Sequence, residues 1–128
     1  MIQEEFVTLE TAKLLKEKGF KEDVFTFYEA DEVEGNMELF ESYDAENFNA
    51  RVECFSAPTQ SIVHKWLRET KNLHVEISYM YGKYWIYDIL TIPNHDLIGL
   101  ADRPPIHYST YEDALEDGIR EALKLIRP

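Results

Sequence analysis

Residues 73–90, LHVEISYMYGKYWIYDIL, carry the strongest β signal in the chain. Leu73, Val75, Ile77 and Tyr79 alternate with His74, Glu76, Ser78 and Met80, the two-residue period of a half-buried strand. Tyr81-Gly82 allows a tight turn, and aromatic and β-branched residues bring the chain back from Lys83 to Leu90. A two-residue loop sets Met80 opposite Lys83 and Leu73 opposite Leu90. That register gathers Leu73, Val75, Ile77, Tyr79, Tyr84, Ile86 and Leu90 on one face, with Asp88 the polar exception. The other face receives His74, Glu76, Ser78, Met80, Lys83, Trp85, Tyr87 and Ile89. Its apolar members Met80, Trp85, Tyr87 and Ile89 form the expected interaction surface, because an apolar sheet face is either covered or offered to a partner.

Outward from this hairpin, helical periodicity marks three segments. Residues 9–18 carry Leu9, Ala12 and Leu15 behind Thr8 as N-cap, with Gly19 as the left-handed stop. Residues 58–71 open on Pro58 and show an apolar stripe of Ile62, Val63, Trp66 and Leu67, ending at Asn72. The last segment starts at a capping box, Ser109 with Glu112 or Thr110 with Asp113. It buries Tyr111, Ala114, Leu115, Gly118, Ile119, Ala122 and Ile126. Between the first two helices, 24–29 reads as a strand, 37–43 as its return after a turn at Gly35-Asn36, and 50–55 as a short third strand. Residues 91–107 carry prolines and little periodicity, the mark of a functional or mobile loop. The expectation is one α+β domain over residues 1–128. Three helices pack on a mainly antiparallel sheet of four to five strands, in the order α-β-β-β-α-β-β-α.

The chain has 128 residues, 25 acidic and 13 basic, for a net charge of −12. This argues against direct binding to nucleic acid or anionic membrane, which both need a cationic surface. The charge is concentrated: residues 22–53 hold eleven carboxylates against one base, Arg51, and the remainder is close to balanced at 14 against 12. No run of eighteen apolar residues exists to span a membrane. Residues 1–6 lack the basic and apolar regions of a signal peptide, so a cytoplasmic location is the default reading. The lone Cys54 excludes an internal disulfide and reads as a buried thiol beside Val52 and Phe55.

No residue pattern identifies a reaction. His64, His74, His95 and His107 show no metal-ligand spacing, five scattered glycines form no phosphate loop, and Cys54 with His64 lacks a third partner. Catalytic, cofactor-binding and metal sets are therefore absent from the sequence reading. The polar groups His95, Asp96, Asp102, Arg103 and His107 of the long loop are the candidates for a small-molecule or catalytic site.

Three stretches resemble a loosely defined set of short uncharacterised proteins from gut bacteria and their phages or mobile elements. They are 7–20 (VTLETAKLLKEKGF), 57–60 (APTQ) with 65–69 (KWLRE), and 108–118 (YSTYEDALEDG) with 122–126 (ALKLI). That resemblance implies no activity and points to an accessory protein that acts by binding. The expected function is a non-enzymatic interaction protein with a protein partner or a second copy of itself. The alternatives are a small enzyme or ligand-binding domain built on the 91–107 loop, and an acidic mimic of nucleic acid that inhibits a basic partner.

Overall fold

A computed structural model describes residues 1–99 and 106–127. Three helices and two three-stranded antiparallel sheets give an α+β fold. The chain divides into two compact units, residues 6–59 and residues 1–5 with 60–127.

In the unit of residues 6–59, helix α1 runs Leu9–Glu17. Thr8 caps it, its hydroxyl accepting from the Thr11 amide at 3.4 Å. Gly19, at φ 89°, lets the Gly19 and Phe20 amides return to the Lys16 and Leu15 carbonyls, so the helix ends where its glycine sits. Strands β1 (Val24–Ala30), β2 (Met37–Glu46) and β3 (Phe55–Ser56) form a sheet in the order β2-β1-β3. Val7, Ala12, Leu15, Phe20, Val24, Phe48, Cys54 and Ala57 are its buried apolar side chains.

The expected strand over 50–55 shrinks to Phe55–Ser56, preceded by a 3-10 turn at Phe48–Ala50. The reason is Lys16. Its ammonium donates to the carbonyls of Arg51 (2.7 Å), Val52 (3.2 Å) and Cys54 (2.8 Å). In an extended strand successive carbonyls point to opposite sides, so three that converge on one cation must leave the strand conformation.

In the second unit, α2 (Gln60–Lys71), β4 (Leu73–Met80), β5 (Tyr84–Thr91), β6 (Leu97–Ile98) and α3 (Tyr111–Leu125) follow in order. Helix α2 starts two residues after Pro58, and Asn72 stops it at φ 55°. The sheet order is β4-β5-β6, the short β6 being a strand inside the expected long loop.

The hairpin of 73–90 departs from the expected register by one residue. Its loop is Tyr81-Gly82-Lys83, with Gly82 at φ 107° and Lys83 at φ 65°, and the Lys83 amide donates to the Met80 carbonyl. Met80 therefore faces Tyr84, and Leu73 faces Thr91. Because side chains alternate with a period of two, one slipped residue exchanges the whole return strand between faces. Val75, Ile77 and Tyr79 now share a face with Ile89, Tyr87 and Trp85.

Helix α3 packs on β4 and β5. It comes close to them at Gly118, where a Cβ would lie 2.5 Å from Val75 Cγ1 and 3.1 Å from the Tyr87 ring. Of the two expected starts Thr110 is the N-cap, its hydroxyl accepting from the Asp113 amide at 3.0 Å. The Asp113 carboxylate accepts from the Ser109 hydroxyl at 3.5 Å instead of reaching back to complete a capping box. Its buried face is Ala114, Leu115, Gly118, Ile119, Ala122 and Leu123, with Glu116 drawn in by a hydrogen bond from the buried Gln60 amide at 2.8 Å. Tyr111, expected in that face, is 38% exposed. Among the described residues, no helix is long and apolar enough to cross a membrane.

Candidate functional site

Strand β2, which carries four carboxylates (Glu38, Glu41, Asp44 and Glu46), forms an antiparallel hairpin with β1. Phe27 pairs with Phe40, and Glu29 with Glu38. These four share a face, since directly opposed residues point the same way and positions 27 and 29 are two apart. The Phe27 ring stacks on Phe48 at 4.3 Å and Phe40 at 5.7 Å between centroids. An aromatic row thus leads to an opposed pair of carboxylates at the turn.

Asp31 closes that turn. Its carboxylate accepts from the amides of Val33, Glu34, Gly35 and Asn36, the Glu34 bond being shortest at 2.6 Å. These amides, Glu34's first, hold the Asp31 carboxyl below the usual aspartate range. A cleft of about 290 Å³ at this end is lined by Glu29, Ala30, Asp31, Glu32, Glu38 and Phe40.

Strand β2 is the outer strand of its sheet. Among the described residues nothing pairs with its far edge. Glu38, Glu41 and Asp44 are exposed along it, with Leu39 (43%) and Tyr43 (99%) as exposed apolar side chains between them. Of the eleven carboxylates in 22–53, only Glu46 forms an ion pair among the described residues, with Arg51 at 2.7 Å. The unit of residues 6–59 carries thirteen acidic residues against five basic ones. Most of its negative charge is therefore uncompensated and faces solvent.

The residues expected to form an interaction surface do not form one. Tyr87 (5%) and Ile89 (0%) are buried, on the face that α3 covers. Trp85 shares that face and is half-buried, its ring against Tyr79 (4.8 Å) and edge-on to Tyr111 (5.5 Å). Its backbone pairs with Tyr108 through two hydrogen bonds. Met80 lies on the opposite face, across from Tyr84. The one-residue slip is the physical cause of this correction.

Of the polar candidates of the 91–107 segment, the described ones, His95, Asp96 and His107, share no side-chain hydrogen bond, ion pair or ring contact with one another. His95 and Asp96 sit in the turn between β5 and β6, where the His95 amide donates to the Thr91 carbonyl and the Asp96 amide to the Thr91 hydroxyl. Both side chains are exposed. His107 stacks on Tyr84 at 3.7 Å. Asp102 and Arg103 lie outside the described residues.

A second cleft, about 260 Å³, is lined by residues 2–5 and by Gln60, Ser61, His64, Tyr111, Glu112 and Leu115. Its polar groups largely serve one another. The Ser61 hydroxyl donates to the Glu4 carboxylate at 3.0 Å, and the Gln60 amide donates to the Glu112 carbonyl at 3.0 Å. His64 Nε2 lies 2.7 Å from the Val75 carbonyl, so that nitrogen carries the proton and donates. Burial lowers the His64 pKa below its usual value and keeps the ring neutral, and the ring stacks on His74 at 5.2 Å.

Comparison with protein-family models, with curated proteins and with solved structures returns no match. The acidic hairpin was visible in composition. Its geometry was not, because the pairing of Glu29 with Glu38 depends on which residues the turn consumes.

Proposed function

We propose that this chain is a non-enzymatic interaction protein, and that the outer edge of β2 takes up an extended, cationic segment of a partner protein. The carrying observation is a ten-residue edge strand, open on one side, whose exposed charges are all negative. An unpaired edge offers a row of backbone donors and acceptors to any extended chain. Proteins usually guard such an edge with lysine or proline. Here carboxylates do so, and they repel a second acidic copy of β2 while attracting lysine and arginine. Leu39 and Tyr43 supply apolar contacts between the charged positions. Self-association through Trp85, Tyr87 and Ile89 is not part of this reading, because α3 covers that face. An accessory role fits the resemblance of the three helical stretches.

The test is an amide-resolved NMR titration of the full chain with a synthetic peptide of alternating lysine and valine. The expected result is saturable shifts concentrated in residues 37–46, weakened by added salt and lost in the Glu41→Lys, Asp44→Lys double variant. An acidic peptide with the same valines should leave the spectrum unchanged. Shifts spread over the chain, or shifts that survive charge reversal, would refute the reading.

A further inference from the structure

Glu29 is distant in sequence from the neighbours Glu53 and Cys54, and the fold gathers the ligating atoms of all three. The Cys54 sulfur and one oxygen of each carboxylate all lie within 4.8 Å of one another. Two features of the local structure bring this about. Residues 51–54 follow an irregular path around the Lys16 ammonium, so the consecutive side chains of Glu53 and Cys54 converge instead of alternating. Carrying the β1–β3 pairing of Tyr28 with Phe55 one step further sets Glu29 across from Cys54.

Cys54 adds an observation independent of the acidic pair. It is 1% exposed, and its sulfur has no hydrogen-bond partner among the described residues, yet it points at two carboxylates. Burial, then the charges of Glu29 and Glu53, push its thiol pKa up, so without a cation the proton stays on sulfur. A divalent cation reverses that balance, since it neutralises the carboxylates and takes the thiolate as ligand while the proton leaves to solvent.

We propose that Glu29, Glu53 and Cys54 form a binding site for a thiophilic divalent cation of the zinc class. One thiolate and two carboxylates suit zinc better than magnesium or calcium, which prefer oxygen alone. Tetrahedral zinc needs sulfur–oxygen separations of about 3.5 Å, within reach of small side-chain rotations from those seen. Three protein ligands leave a fourth position for water, on the side where Glu53 is exposed. The proposal does not rest on the docking of a cationic segment at β2.

The probe is cadmium, added to the full chain under reducing conditions and followed by thiolate-to-metal charge-transfer absorption in the ultraviolet. Cys54 is the chain's one cysteine, so any band reports that sulfur. The expected result is a band saturating at one cadmium per chain, displaced by zinc, accompanied by release of a proton, and absent in Cys54→Ser. Because a buried substitution can also disturb the fold, the exposed Glu53→Gln is the second variant. It should keep the far-ultraviolet circular dichroism spectrum and weaken cadmium at least about tenfold. Absence of the band in the wild-type chain, or an affinity that Glu53→Gln and Glu29→Gln leave unchanged, would overturn the site.

Discussion

Replacing Gly118 with alanine is the sharpest test of how α3 meets its sheet. An alanine Cβ would sit 2.5 Å from Val75 Cγ1 and 3.1–3.2 Å from two atoms of the Tyr87 ring. On an exposed helix the same change would stabilise, by about 1 kcal/mol, since glycine is the weaker helix former. Here Val75 is 0% and Tyr87 5% exposed, and a β-branched valine has almost no rotamer freedom with which to retreat. Overpacking of a close-packed interior costs about 1–3 kcal/mol, and a contact this short belongs at the upper end. The balance is a net loss of about 2 kcal/mol, or roughly 30-fold in the ratio of folded to unfolded chain. Trp66 and Trp85 are the only tryptophans, and both lie in the unit of residues 60–127, so fluorescence-monitored urea unfolding reads the right part of the molecule. Val75→Ala removes the clashing methyl and costs about 2 kcal/mol by itself. Combined with Gly118→Ala, it should destabilise less than the two single losses added together, by at least about 1 kcal/mol. A Gly118→Ala variant as stable as the parent or more so, with additive behaviour in the cycle, would refute the close approach and the register on which it depends.

Two further outcomes follow from the polar contacts. His64 has a folded-state pKa below its ordinary 6.5, with burial the main cause. The unfolded chain therefore takes up the proton first on acidification. Its contribution is complete above about pH 6.5 and drains away as pH falls through the lower folded value, so urea midpoints by tryptophan fluorescence should drop from pH 7 to pH 5. His64→Asn should flatten that dependence, and an unchanged slope would show that another group sets it. Lys16→Met removes the cation that gathers the Arg51, Val52 and Cys54 carbonyls. Trypsin should then cleave after the exposed Arg51 several-fold faster, with a stability loss of about 1–2 kcal/mol. Equal cleavage rates in the two proteins would mean that the turn holds its shape without the lysine.

The chain's local chemistry was legible residue by residue. Thr8, Gly19 and Thr110 end or begin helices through bonds made within a few residues of themselves, and Asn72 ends one by its own left-handed backbone, so sequence neighbours suffice to place them. The apolar alternation of 73–80 likewise announced a strand, and the carboxylate excess of 22–53 announced an acidic surface. Tertiary structure decided the rest, each time through a contact between residues distant in the chain. Lys16 turned 51–54 away from strand geometry, from thirty-five residues off, and with it brought Glu53 and Cys54 to Glu29. The strands were shared between two sheets instead of joining one, a choice of pairing partners that period-two patterning does not encode. The loop at Tyr81-Gly82-Lys83 took three residues where two were expected, and the return strand exchanged its faces. Leu90 and Ile89 are equally apolar neighbours, so composition is indifferent to which of them points inward. The fit of α3 at Gly118 is not, because the observed register places Tyr87 beside Val75 on the face that helix crosses, where only a glycine leaves room for both.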